Sequence, residues 1–267
     1  MIKQTHRTHA ALLAATLVGA LLSLPQLSLA ARATGLPAQD SSAAGDIAAS
    51  RLNKSQFKDV KVALDNGIAT LTGTVSLYEY KADAEKRVRK ATGVTATRNL
   101  IEVAGPSVPD AELEAKLQER LNYDRVGYGN VFNAIKVTVE NGVATLSGHA
   151  RTDVDKDSAM ALVATSPGVK DLVGEIEVDP VSIMDDQTRL AVARAVYGYP
   201  SLNKYAIDPA KPIRISVTNG NVELFGTVDT QGDKDVAFLR ANGVSGVFSV
   251  KNYLTVANQT TEKPKQP

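Results

Sequence analysis

Few side chains in this chain are equipped for chemistry. Past the first thirty-odd residues there is a single histidine, His149, directly after Gly148 in a run of β character. Such a lone histidine is read as a structural or surface residue, not a base or a ligand. Asp153-x-Asp155-x-Asp157 has the spacing that opens an EF-hand loop. That loop needs Gly at its sixth place and Glu at its twelfth, where this chain has Ser158 and Ala164. The aspartates fit better as acids at a helix N-terminus. With no cysteine anywhere, disulfides and thiolate metal sites are excluded, and a zinc site would need carboxylates alone. Neither a Gly-x-Ser-x-Gly elbow nor a phosphate loop occurs. The expectation is a non-enzyme with no catalytic residue, metal or cofactor.

Two groups could instead bind. Lys81, Lys86, Arg87, Arg89 and Lys90 crowd one segment beside Tyr78 and Tyr80. On a helix this makes a basic face able to rest on anionic headgroups, each cation contributing about 1 kcal/mol near the surface. The same charges could be a solvated face balanced by Asp83 and Glu85, or could dock against an acidic neighbour. The second group is aromatic. Tyr123, Tyr128, Phe132, Tyr197, Tyr199 and Tyr205 lie in Gly- and Pro-containing stretches and make up six of the thirteen aromatic residues. Tyrosine in such loops offers rigid amphipathic contact area for partners, or folds back as a lid on a small core.

The elements that hold these groups are repeated. Asn66-Gly67…Gly73 recurs as Asn141-Gly142…Gly148 and Asn219-Gly220…Gly226, with later glycines at 93, 168 and 246. The marks are offset by 75 and then 78 residues, which means one unit present three times. Val60, Val62 and Leu64 alternate before the first Asn-Gly, and Ile68, Thr70 and Thr72 after it. Alternation on both sides of Asn-Gly predicts a hairpin, because that turn needs positive φ at both central positions. The next glycine marks a bulge or a close neighbour near the end of the second strand.

Ser76-Leu77-Tyr78-Glu79, Thr152-Asp153-Val154-Asp155 and Thr230-Gln231-Gly232-Asp233 have capping-box spacing and predict a following helix. Tyr80, Ala84, Val88 and Ala91 fall on one face of the first, while Met160, Leu162 and Val163 form a shorter stripe in the second. The late glycine is expected to end that helix, before third strands at Thr97–Val103, Leu172–Val178 and Ser249–Val256. An opening helix is predicted at Asp46–Leu52, Asp110–Leu121 and Asp186–Tyr197, each led by an acid. The fold class is α+β: three tandem α-β-β-α-β domains, each a three-stranded mixed sheet with two helices on one face. The second and third strands should run parallel through a right-handed crossover.

This unit, its Asn-Gly/Gly hairpin and its Gly246-Val247-Phe248-Ser249-Val250-Lys251-Asn252-Tyr253-Leu254-Thr255-Val256 ending resemble the BON domain family, the OsmY and nodulation module of bacterial envelopes. The first copy keeps the ending as Gly93-Val94…Asn99-Leu100…Val103. The second departs, with Gly174 in the asparagine place and Ile176 in the leucine place. The resemblance implies binding to phospholipid surfaces, support of the envelope under osmotic stress, or chaperone-like action in the periplasm, with no catalytic residue.

Residues 1–33 read as a signal peptide cut after Ala30 or Ala33, with Lys3 and Arg7 before an apolar core. The expected location is the periplasm, and the lack of cysteine excludes a lipoprotein. Domains are placed at 46–105, 110–180 and 185–257, joined by short Pro-containing linkers, with a disordered tail at 258–267. Net charge is +3, −6 and +1 over the three domains. The near-neutral total gives no general attraction for nucleic acid. From Leu52, Leu121 and Val196 to the next Asn-Gly the copies take 14, 20 and 23 residues, so the aromatic stretches are insertions. The expected partners are an anionic phospholipid surface or envelope proteins, the latter held by the Tyr-rich loops.

Overall fold

A computed structural model describes residues 45–124, 130–209 and 211–257. The segment 1–33, the tail 258–267 and Tyr128 lie outside the described residues. In the first repeat a helical turn at 45–50 (α1) is followed by β1 (Val60–Asp65), β2 (Ile68–Val75), α2 (Tyr78–Arg89) and β3 (Ala96–Val103). The second comprises α3 (Asp110–Tyr123), β4 (Ala134–Glu140), β5 (Val143–Ala150), α4 (Asp153–Ala164) and β6 (Asp171–Val178). In the third, α5 (Ile183–Tyr197) and a short α6 (Lys204–Ile207) precede β7 (Arg214–Thr218), β8 (Asn221–Phe225), β9 (Thr227–Val228), α7 (Gln231–Asn242), β10 (Ser249–Asn252) and β11 (Thr255–Val256). The three repeats fall within one unit, Pro37–Pro267.

Each three-stranded sheet has the hairpin pair antiparallel and the crossover pair parallel, with the second strand in the middle, and in repeat three the expected strand Ser249–Val256 is split, so that β9 and β11 form a separate parallel pair. This is the expected α-β-β-α-β unit. Asn66, Asn141 and Asn219 have φ of 48°, 54° and 50°, and Gly67, Gly142 and Gly220 are also positive, so all three turns take the conformation that Asn-Gly favours. Gly73 and Gly148 are needed for a different reason. At φ 109° and 102°, a Cβ would stand 2.0 Å from the Asp59 and Ala134 carbonyl oxygens respectively. The entering strand thus crosses close to the middle one.

Asp110 receives the turn amides of Asn141 and Gly142 at 2.6 and 2.9 Å, and Asp185 those of Asn219 and Gly220 at 2.9 and 2.8 Å. These carboxylates bolt the opening helix to the hairpin. The acid in the third repeat is therefore Asp185, not Asp186, and α5 begins at Ile183 behind an Ser182 N-cap. Thr152 and Thr230 cap α4 and α7 by accepting the Asp155 and Asp233 amides, a contribution of about 1 kcal/mol each. Copy one departs from this expectation. Its helix starts one residue beyond the place that Ser76 predicts, Leu77 takes the N-cap place, and no side chain caps it. Nor do the late glycines end the helices. Gly93, Gly168 and Gly246 lie beyond them at positive φ, in the turn into the third strand.

The asparagine of the ending motif clips that strand to its helix. Asn99 donates to the Lys81 carbonyl at 3.0 Å, and Asn252 to the Lys234 carbonyl at 2.9 Å. Where the second repeat has Gly174 instead, Lys156 reaches the Ile176 carbonyl at 2.9 Å. Between helices and sheet lie three separate cores, built on Leu71 and Val88, on Leu113 and Leu146, and on Ile215 and Leu224. Each fully buried aliphatic side chain contributes about 1.5–3 kcal/mol.

Candidate functional site

The basic helix of repeat one divides between two jobs. Its first turn faces repeat two: Tyr78 packs on the core of that repeat, and the Lys81 ammonium lies 3.4 Å from Asp171 at the start of β6. Desolvation, then the Asp171 charge, raises the Tyr78 pKa. The linker also keeps these repeats close, since a Cβ on Gly105 would meet the Gly168 nitrogen at 3.6 Å. Docking against the acidic neighbour thus engages one of the five cations.

The rest point elsewhere. Arg87 pairs with Asp83 at 2.8 Å and lies over the buried Phe57 ring, 5.7 Å from its centroid. Arg89 pairs with Glu85, whose own carboxyl, although burial would raise it, is held below the usual range by bonds from Asn99, Thr97 and Arg89. Lys86 and Lys90 are exposed, with no ion pair among the described residues. Together with Arg87 and Arg51 they line one shallow depression of about 270 Å³ in which Asp83 is the acid. Arg51 was not singled out in the sequence; its place next to an opening helix gave no charge pattern.

The aromatic insertions split as well. Tyr205 is 3% exposed; its hydroxyl donates to Asp233 at 2.9 Å and accepts the Asp229 amide at 2.7 Å. Tyr197 donates to the Ile213 carbonyl at 2.5 Å, and burial pushes its phenol pKa well above the usual range. Both belong to the third repeat's own interior, where Leu202 is also buried. Phe132, with Val131, packs on the core of repeat three, and Arg151 lies over its ring at 5.9 Å. Tyr199 sits beside Arg240 at 5.7 Å. Among the described residues, Tyr123 and Tyr199 remain substantially exposed.

His149 is not an isolated surface residue. Ala150, Leu146 and Ala144 point to the helices, so His149 lies on the opposite, helix-free face of its sheet. Glu223 and Phe225 occupy the helix-free face of repeat three, because Val222 and Leu224 enter that core. The two faces meet. His149 Nδ1 is 3.5 Å from Asp179, Nε2 is 3.6 Å from Glu223, and its ring centroid is 5.8 Å from that of Phe225. The Asp179 carboxylate beside Nδ1 is the main cause of a raised histidine pKa, against a smaller opposing effect of burial.

Asp179 extends the ladder of repeat two, its amide bonding the Ala150 carbonyl at 2.9 Å. Its carboxylate enters repeat three, where it accepts from Ser216 at 3.1 Å and Arg189 at 3.0 Å. Arg189 also donates to the Val217 carbonyl at 2.9 Å and to Asp186. Asp179 and Arg189 are 2% and 3% exposed at the side chain, and the sequence reading missed both. One signal was present: Arg189 stands on the inward stripe with Val192 and Val196, where an apolar residue is expected.

Among the described residues no group of His, Asp and Glu could hold a metal ion, and no helix is long and apolar enough to cross a membrane. The BON domain family model matches residues 40–105, 109–180 and 200–258. Osmotically-inducible protein Y of Escherichia coli (strain K12) is 28% identical over 162 residues, covering 56% of this chain and 74% of that protein. Among solved structures, CdsD, a structural protein of the type III secretion system of Chlamydia trachomatis, is 16% identical with a TM-score of 0.24 over 79% of this chain and 90% of that one. The periplasmic domain of the inner membrane protein PrgH from S. typhimurium is 11% identical with a TM-score of 0.19, over 76% and 94%. At those scores neither likeness bears on fold or role.

Proposed function

Because the chain belongs to the BON domain family, we propose that it is a non-catalytic periplasmic protein that rests on anionic phospholipid surfaces through repeat one and supports the envelope under osmotic stress. The supporting observation is the depression lined by Arg51, Lys86, Arg87 and Lys90. Lys86 and Lys90 are exposed and carry no ion pair among the described residues, so their charge is available to a headgroup. The name of the Escherichia coli relative, an osmotically inducible protein, favours the stress role. The rival role, in which Tyr-rich loops hold protein chains, would draw on Tyr123 and Tyr199 alone among the described residues.

Flotation with anionic and with neutral vesicles tests the proposal. At about 1 kcal/mol for each cation near the surface, neutralising Lys86 and Lys90 should cut partitioning into anionic vesicles roughly thirtyfold. Lys86→Gln/Lys90→Gln spares Arg87, which covers Phe57. Flotation that is unchanged by this pair, or equal on neutral vesicles, would sink the reading.

A further inference from the structure

The facing sheets of repeats two and three leave a cleft of about 550 Å³, a size that suits a small-molecule ligand. Lys136 of β4, Lys211 and Arg214 of β7 line it, together with Phe225 and Tyr253, and no carboxylate lines it among the described residues. Neither lysine forms an ion pair among the described residues. The Arg214 guanidinium bonds a neutral group, Asn122 Oδ1, at 2.6 Å, and desolvation holds its pKa below the usual arginine range. Among the described residues it is partly buried and has no carboxylate partner. Beside it the rings of His149, Phe225 and Tyr253 form a row with centroids 5.8 and 5.2 Å apart. That row ends at Tyr253, which is 50% exposed.

An arginine fork and two ammonium groups suit an oxyanion, and a stacked ring with an open side suits a flat apolar body. We propose that this cleft binds a small aromatic oxyanion. Its phosphate or carboxylate lies among Lys136, Lys211 and Arg214, and its ring rests on the Phe225/Tyr253 pair. The site is separate from the basic helix of repeat one, so either can fail without the other.

Calorimetric titration of the whole chain with 1-naphthyl phosphate tests it, with inorganic phosphate and 1-naphthol as the two halves of the ligand. Saturable binding to one site is expected, weakened about tenfold by Lys136→Gln or Lys211→Gln, each removing one charge-assisted contact. Tyr253→Ala should weaken it several-fold through lost ring contact, and Lys86→Gln/Lys90→Gln should leave it unchanged. The two cleft lysines are exposed, so their variants fold even if an Arg214 variant does not. Absence of saturable binding, indifference to both lysine variants, or equal affinity for inorganic phosphate or naphthol would each overturn the proposal.

Discussion

Replacing Arg189 with methionine should loosen the junction of repeats two and three more than any surface change. Arg189 and Asp179 are both almost fully buried, and removing one partner from such a pair costs about 3–5 kcal/mol, because the other charge is left in a poor solvent. Two features set where in that range the change falls. Asp179 keeps the Ser216 hydroxyl and His149 nearby. Among the described residues Arg189 Nε has no acceptor, so its loss also relieves an unsatisfied donor, itself a cost of about 1–3 kcal/mol. We expect about 3 kcal/mol for Arg189→Met. Asp179→Asn should cost less, about 1–2 kcal/mol, since Asp186 still faces the guanidinium. Urea unfolding followed by far-UV circular dichroism and tyrosine fluorescence would read this as a midpoint shift of about 1 M for Arg189→Met. The double variant should lie about 1–2 kcal/mol short of the sum of the singles. A shift under roughly 0.3 M, or strict additivity, would refute the idea that this pair locks the two repeats together.

The remaining expectations concern pH and capping. His149 has a folded pKa raised above its ordinary value, so its contribution is complete below about pH 6.5 and is lost as pH rises through the folded value. Asp179, Glu223 and Glu177 face it. Stability measured by thermal melts should therefore decline over the neutral range in the wild type, and His149→Gln should flatten that decline; an unchanged slope removes His149 as the cause. Thr152→Ala and Thr230→Ala should each cost about 1 kcal/mol, whereas Ser76→Ala should cost little, since no side chain caps α2. Equal losses at all three positions in chemical denaturation would restore a cap at Ser76.

What the sequence disclosed is what local physics determines. Asn66, Asn141 and Asn219 prescribe a turn with their own backbone, and the alternation on either side chooses the register, so the hairpins and the parallel crossover were legible before any coordinate. The spacing Thr152 to Asp155 is likewise local. Ser76 misled because it stands one place before the position that Thr152 and Thr230 hold; by the offsets of 75 and 78 that position is Leu77, and the three helices start in register at Tyr78, Asp153 and Gln231. The junction was invisible for the opposite reason. Asp179 precedes a proline and reads as a linker; only the approach of another sheet brings Ser216 and His149 to it. Arg214 and Lys136, 78 positions apart, share a cleft that no single repeat contains. The helical stripes were read correctly, but the use of the helix-free faces was not, because alternating polar residues look the same whether they meet water or a second sheet.

Three tandem copies suggest avidity, yet the cation set of α2 occurs once. The positions of Lys86, Arg87 and Lys90 correspond, by the offsets of 75 and 78, to Ala161, Leu162 and Thr165 in repeat two and to Leu239, Arg240 and Gly243 in repeat three. The one cation among these, Arg240, bonds the Ala195 carbonyl at 3.1 Å and sits beside Tyr199. Repeats two and three are joined sheet to sheet, and repeat one is joined to repeat two through Tyr78 and Lys81. The copies therefore cannot swing independently onto one surface, which linked-site avidity requires. The proposed surface binding through α2 would be monovalent and oriented for each molecule. It should weaken steeply with salt, as the Debye length shrinks to about 8 Å near physiological ionic strength. Steeper binding than one patch supplies has to come from several molecules collecting on the same surface, so it should depend on protein density and not on how many repeats a single chain carries.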